Sequence, residues 1–179
     1  MDLDSSGGDV MEALRIGRLI HQDFMYTRVL PGRQCASACV FILQAGVIRV
    51  PALGSHVAVH RPKFDAAYFA DLTPDQARTT YNNMVGELRK YFISEMNGSD
   101  EAFRLMVTTP SDQVRVLTFA ELRDLGLNGE DASYEEYSEA LNIKKYGTVR
   151  WPLIKDCVGP SGDLAGCEKK AYELFPKDK

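Results

Sequence analysis

Cys35-Ala36-Ser37-Ala38-Cys39-Val40-Phe41-Ile42-Leu43-Gln44-Ala45-Gly46 is the stretch on which the fold turns. From Ala36 to Ala45 nearly every residue is small or apolar, and Gly46 closes the run. Its length and glycine stop predict a buried helix rather than a strand. Upstream, Thr27-Arg28-Val29-Leu30 reads as a strand stopped by Pro31-Gly32. Before it, Asp9 caps a helix whose apolar face is Val10, Ala13, Leu14, Gly17, Leu19 and Ile20, ending near Phe24. Leu3-Asp4-Ser5-Ser6-Gly7-Gly8 supplies a short strand and a glycine turn ahead of that helix. Downstream, Val47 to Val50 and His56 to His60 read as strands around a turn at Pro51 to Ser55. Strands and helices alternating in this way predict a layered α/β domain.

The middle of the chain is more helical. Thr73-Pro74-Asp75 combines an N-cap threonine with proline at the first helical position. The helix it starts runs to about Met96, with Tyr81, Met84, Val85, Leu88, Phe92 and Ile93 on one face, and Asn97-Gly98 ends it. Ser99 or Asp100 caps a second helix to about Val107, and Val114 to Leu117 reads as a strand. Thr118 and Glu121 form a capping-box pattern before a short helix that Gly126 ends. Glu130 to Lys145 reads as helical, and the stretch from Trp151 as irregular until a short helix near Glu168. The division is therefore residues 1–128 as one domain and 129–179 as an extension, partly helical and then irregular.

Composition bounds the function. The chain has 179 residues, 45% apolar and 26% charged, with a net charge of −4, so it can bury a core without metal or disulfide support. No basic stripe is present, which argues against a nucleic-acid partner. No apolar run approaches the roughly 18 residues of a membrane span, and no signal segment opens the chain. Met1 precedes a strand almost at once, from which we expect that a longer protein has been trimmed. Cys157 and Cys167 flank a polar Gly/Pro/Ser/Asp loop and predict a disulfide, with two free thiols as the alternative. Cys35 and Cys39 read as small residues packing a helix on a sheet, able to bond only in a particular local geometry. Neither pair is CxxC and the chain has three histidines, so no metal site is expected.

Ser37, Gly7-Gly8 and His60 together carry chemistry. A serine hydroxyl is a weak nucleophile unless a base takes its proton and donors hold the oxyanion. Ser37 stands where a loop enters the apolar helix, so the Ala38 N–H is one candidate donor. The second comes from Gly7-Gly8, where glycine lets the backbone approach a substrate. His60 ends a strand, ahead of Pro62, and is the candidate base. Taken singly, Ser37 reads rather as a helix-packing residue, Gly7-Gly8 as an ordinary turn and His60 as a histidine bonded to backbone; only all three in this order favour the chemical reading.

In their order and spacing these segments resemble the Clp protease proteolytic subunit, within the ClpP/crotonase superfamily. Asp4-Ser5-Ser6-Gly7-Gly8 is similar to the family's strand ending in Ser-Pro-Gly-Gly, with Ser6 in place of proline. Ser37 heads a helix ending in Ala45-Gly46, as the family's nucleophile does, and Val59-His60-Arg61-Pro62 corresponds to its histidine strand. Ser37 and His60 are twenty-three residues apart, close to the family spacing. The helix from Pro74 and the run from Leu117 to Leu127 resemble the family's handle helix and last strand-helix. The likeness is greater still to a group of bacterial ClpP-like proteins, predicted periplasmic, with a Cys-x-Ser-x-Cys pattern.

The resemblance implies a β-β-α superhelix with a protruding helix, lacking the family's first strand and helix. It implies a serine peptidase acting on peptides or proteins, without a cofactor, in a homo-oligomeric ring and in the periplasm or another exported location; the cytoplasm is the alternative. A gapless match puts Val114 at the family's acid, so Asp112, two residues earlier, becomes the candidate third member, with a loop-capping role or a Ser-His dyad as alternatives. Two rival functions are a catalytically inactive binding or assembly module and crotonase-type acyl-CoA chemistry, for which the chain shows neither basic clustering nor a suitable acidic pair.

Overall fold

A computed structural model describes residues 1–176. The chain is α/β and divides into two compact units, Met1–Ala132 and the residues from Ser133 on, four residues later than the sequence boundary.

In the first unit, residues 1–5 run extended and lead to α1 (Val10–Gln22), capped as expected by the Asp9 carboxylate, which accepts the Glu12 N–H at 2.8 Å. Then come β1 (Tyr26–Val29), β2 (Gln34–Ala36), α2 (Cys39–Gln44), β3 (Ile48–Pro51) and β4 (His56–Val59). A 3-10 turn at Ala66–Phe69 precedes α3 (Pro74–Arg89), which passes into a π-helical turn, Lys90–Glu95. The unit finishes with α4 (Asp100–Thr108), β5 (Arg115–Val116), α5 (Phe119–Asp124) and β6 (Gly129–Glu130). The predicted capping box of Thr118 with Glu121 forms, and the Thr73 N-cap also closes one, with Gln76.

Two small mixed sheets result. In one, β1 and β3 are parallel and β6 is antiparallel to β3; in the other, β2 and β4 are parallel and β5 is antiparallel to β4. Residues 1–5 join them. Leu3 N–H donates to Arg28 O and Arg28 N–H to Met1 O, both at 2.8 Å; Ser5 N–H donates to Gln34 O at 2.8 Å and Ala36 N–H to Ser5 O at 3.0 Å.

The core lies where α1 and α2 meet the sheets and the π turn. Val29, Cys35, Val40, Leu43, Val57, Leu88, Tyr91 and Phe92 are fully buried. Phe41 packs edge-on to Phe92 at 5.9 Å. The apolar periodicity predicts one helix to Met96, but the backbone widens after Arg89. That wider turn brings the consecutive residues Tyr91 and Phe92 both to the core, which a regular α-helix separates by about 100°. Tyr91 donates its hydroxyl to Phe41 O at 3.0 Å, against the Gly17 backbone of α1.

Arg49 is a buried cation. Its guanidinium donates to Gly46 O and Glu130 O, each at 3.0 Å, and lies 3.7 Å from the fully buried Asp131 carboxylate. Burial pulls the Arg49 pKa down from its ordinary value, and the Asp131 charge opposes that pull.

The second unit holds α6 (Ala132–Tyr146), α7 (Arg150–Ser161) and α8 (Leu164–Leu174) around Tyr146, Ile154, Cys167 and Ala171. The stretch from Trp151, expected to be irregular, is thus helical. Pro152 falls in the first turn of α7, where its missing N–H has no partner to lose. Cys157 and Cys167 are bonded, joining α7 to α8, and Gly162 ends α7 in the left-handed conformation.

Two stability effects follow. A Cβ at Gly17 would fall within the Tyr91 hydroxyl and 3.1 Å from Ala45 Cβ. Gly17→Ala is therefore expected to destabilise the protein by about 1–3 kcal/mol through overpacking, read from denaturant unfolding. Arg18 binds Glu95 in a bidentate pair at 2.7 and 3.2 Å, and this hydrogen bonding holds the Glu95 carboxyl below its ordinary value. A carboxyl depressed in the folded state stabilises above its unfolded pKa, about 4.3, and that contribution fades as pH falls through the lower folded value. The pair is partly exposed, so Glu95→Gln is expected to cost about 0.2–1 kcal/mol at neutral pH. The difference from wild type should close in acid-series unfolding curves.

Candidate functional site

The site is built where the first five residues meet β2. Ser5 is fixed to both neighbours of Cys35, and its hydroxyl accepts the Gly7 N–H at 3.1 Å and donates to Gly7 O at 3.3 Å. Gly7 adopts φ 114°, in the region that favours glycine. It lies directly on the candidate nucleophile: a Cβ at Gly7 would stand 2.8 Å from Ser37 Cβ and 3.3 Å from Ser37 Oγ. Gly8 follows at the entry to α1.

Ser37 does not belong to the helix that the apolar run predicts from Ala36. β2 continues through Ala36, in register with Ala58, and Ser37 N–H donates to Ala58 O at 3.0 Å. Ser37 then takes φ 57°, and α2 begins only at Cys39. A left-handed serine costs on the order of 1–2 kcal/mol. It turns the chain sharply from strand to helix and leaves the hydroxyl at the bend. Ser37 and Ala38 carbonyls accept from Val40 and Phe41 N–H at 3.0 and 3.2 Å. Among the described residues neither the Gly8 nor the Ala38 N–H is taken by another protein group.

The sequence missed one covalent feature. Cys35 and Cys39, read as packing residues, are buried as expected but bonded to each other, with Cα atoms 5.2 Å apart. The bond spans the Ser37 turn. Its signal was the pair of cysteines four apart around a serine, which the predicted helix obscured.

A cavity of about 270 Å³ opens beside this turn, walled by Gly7, Gly8, Ala13, Ile16, Ala38 and Ile42, with Cys39 also on its surface. Ser5, Asp9 and Glu12 also line it.

His60 follows the last residue of β4, so Ser37 and His60 leave the same ends of neighbouring parallel strands. The half-buried His60 ring has Nδ1 3.0 Å from Arg61 O. A carbonyl only accepts, so this bond needs Nδ1–H and leaves the ring's lone pair on Nε2. Among the described residues, no hydrogen bond joins Ser37 to His60. Asp112 is in an exposed turn closed by Gln113 N–H to Pro110 O at 3.1 Å, and no bond to His60 is formed. The base of that loop does reach the site, since Arg61 N–H donates to Thr109 O at 2.7 Å. Val114, the gapless alternative, is an exposed apolar residue. No group of three or more metal-ligating side chains occurs among the described residues, and no helix among them is long and apolar enough to cross a membrane.

No protein-family model matches this sequence, and no curated protein matches it.

Gly7→Ala tests the closeness of the two strands. The new methyl meets Ser37 at a backbone angle that L side chains avoid. A destabilisation of about 1–3 kcal/mol is expected, with a change at Ser37 in amide NMR spectra; unchanged Ser37 signals would refute the contact.

Proposed function

We propose that the chain is a ClpP/crotonase-type serine peptidase whose nucleophile is Ser37 and whose base is His60. The observation that carries this reading is the left-handed turn at Ser37, held against Gly7 at the strand ends that also carry His60. Backbone strain of this kind concentrates at functional sites, and a serine on a strand-to-helix bend presents its hydroxyl to a substrate.

In the reaction, His60 Nε2 takes the Ser37 proton as Oγ attacks the peptide carbonyl. The N–H groups of Gly8 and Ala38, at the Gly7-Gly8 and Ser37 turns, hold the oxyanion. His60 passes its proton to the leaving amine, and water then releases the acyl group by the same steps in reverse order. The Arg61 carbonyl, rather than Asp112, orients the imidazole through Nδ1, so the unit is a Ser-His dyad. The apolar cavity beside Ser37 suits an apolar substrate side chain. Two disulfides fit an exported, periplasmic protein, and the largely exposed α3 fits self-association into a homo-oligomer.

The second reading is an inactive binding or assembly module of the same fold. The missing Ser37–His60 hydrogen bond favours it, although such bonds commonly tighten only with substrate in place.

A fluorophosphonate probe separates the two. Wild type should label at one serine, Ser37→Ala should not label, and His60→Ala should label at least 100-fold more slowly, the lower end of general-base contributions. Asp112→Asn should label within about threefold of wild type. An unlabelled wild type, or equal labelling of Ser37→Ala, overturns the peptidase reading.

A further inference from the structure

We propose that the Cys35–Cys39 disulfide is a positioning device for Ser37, so that the nucleophile is competent only in the oxidised chain and reduction disables it without unfolding the domain. This rests on the reading of Ser37 as nucleophile.

Three observations support it. First, the two cysteines bracket the turn itself. Cys35 is held in β2 opposite Val57, Cys39 is the first residue of α2, and only Ala36, Ser37 and Ala38 lie between them. Second, α2 has little of its own to fix that turn. It is six residues long and its N-cap, Ala38, offers no side-chain hydrogen bond; the capped helices α1, α3, α4 and α5 all have one. A helix this short has negligible stability alone. Third, Ser37 is a non-glycine residue in the left-handed region, a conformation that persists only where its surroundings over-determine it. The disulfide supplies the constraint that a cap supplies elsewhere.

The same geometry says how a reductant reaches the bond. Both cysteines are buried, Cys35 fully and Cys39 at 3% exposure, and of the two only Cys39 is among the residues lining the cavity beside Gly7 and Gly8. A dithiol entering there attacks Cys39 Sγ as thiolate. The Cys35 sulfur leaves and takes a proton, and a mixed disulfide forms on Cys39. The second thiolate of the reductant then displaces Cys39, which also takes a proton. The reductant departs as a cyclic disulfide, and the chain keeps two thiols. A substrate-like ligand in the cavity covers this route, so occupancy protects the bond.

The test compares the oxidised protein, the dithiothreitol-reduced protein, Cys35→Ala/Cys39→Ala and, as control, Cys157→Ala/Cys167→Ala. Fluorophosphonate labelling is resolved into probe affinity and inactivation rate constant. Ser37 ¹³Cα and ¹³Cβ shifts report its backbone, and circular dichroism reports folding. Reduction and Cys35→Ala/Cys39→Ala should each lower the rate constant at least tenfold, with affinity changed less than threefold. Both should also move the Ser37 shifts, while Cys157→Ala/Cys167→Ala does neither. Unchanged Ser37 shifts on loss of the bond overturn the proposal. Unfolding of Cys35→Ala/Cys39→Ala or of the reduced protein also overturns it, because the bond is then a general staple. If the oxidised wild type does not label at all, the peptidase reading fails, and the Ser37 shifts alone still decide whether the bond positions that residue.

Discussion

One short extended segment bonds to two sheets at once. Residues 1–3 pair with β1 and Ser5 pairs with β2, so a single backbone fixes where the sheets stand relative to each other. Everything at the candidate site inherits that relation. Gly7 reaches Ser37 because Ser5 is bonded on both sides of Cys35. Ser37 reaches the His60 strand because β2 is in parallel register with β4. A slip of one residue in the first pairing would reverse every side chain in it and remove Gly7 from Ser37.

Much of this is local and was legible. Asp9, Thr73 and Thr118 cap helices where the sequence places caps, because a cap needs only residues three or four positions away. The strands around residues 26–29, 48–51 and 56–59 were recognisable from apolar runs between turn residues. The start of α2 was not. Cys35 to Ala45 is almost wholly small or apolar, and such a run cannot distinguish a strand from a helix. Its strand part exists only because β4 and Ser5 lie on either side. The π turn at Lys90 leaves the apolar periodicity almost unchanged, so nothing in the pattern announces it. The stretch from Trp151 read as irregular because a first helical turn cannot be told from a loop by composition alone.

The site shows the same division. Serine, glycine and histidine have identities to read, and their order in the chain suggested a shared location. The partner of His60 Nδ1 does not, because Arg61 contributes only its carbonyl, which every residue has. Residue type therefore points to Asp112, in a loop whose backbone, at Thr109, contacts the site although its carboxylate does not. The Cys35–Cys39 bond was hidden for a related reason: four-residue spacing closes only across a particular bend, and that bend depends on pairing with distant strands.

Arg49 gives the first unit an order of assembly. Its guanidinium is buried beside β3, but the carboxylate facing it belongs to Asp131, at the far end of the unit's sequence. A cation in that position without its counter-charge is strongly unfavourable. On a growing chain, where earlier segments emerge first, β1 and β3 can pair early, yet closing the core over Arg49 must wait until β6 and Asp131 arrive. The last residues of the unit thus supply the charge against which Arg49 is buried, so the core around β3 is complete only with them in place.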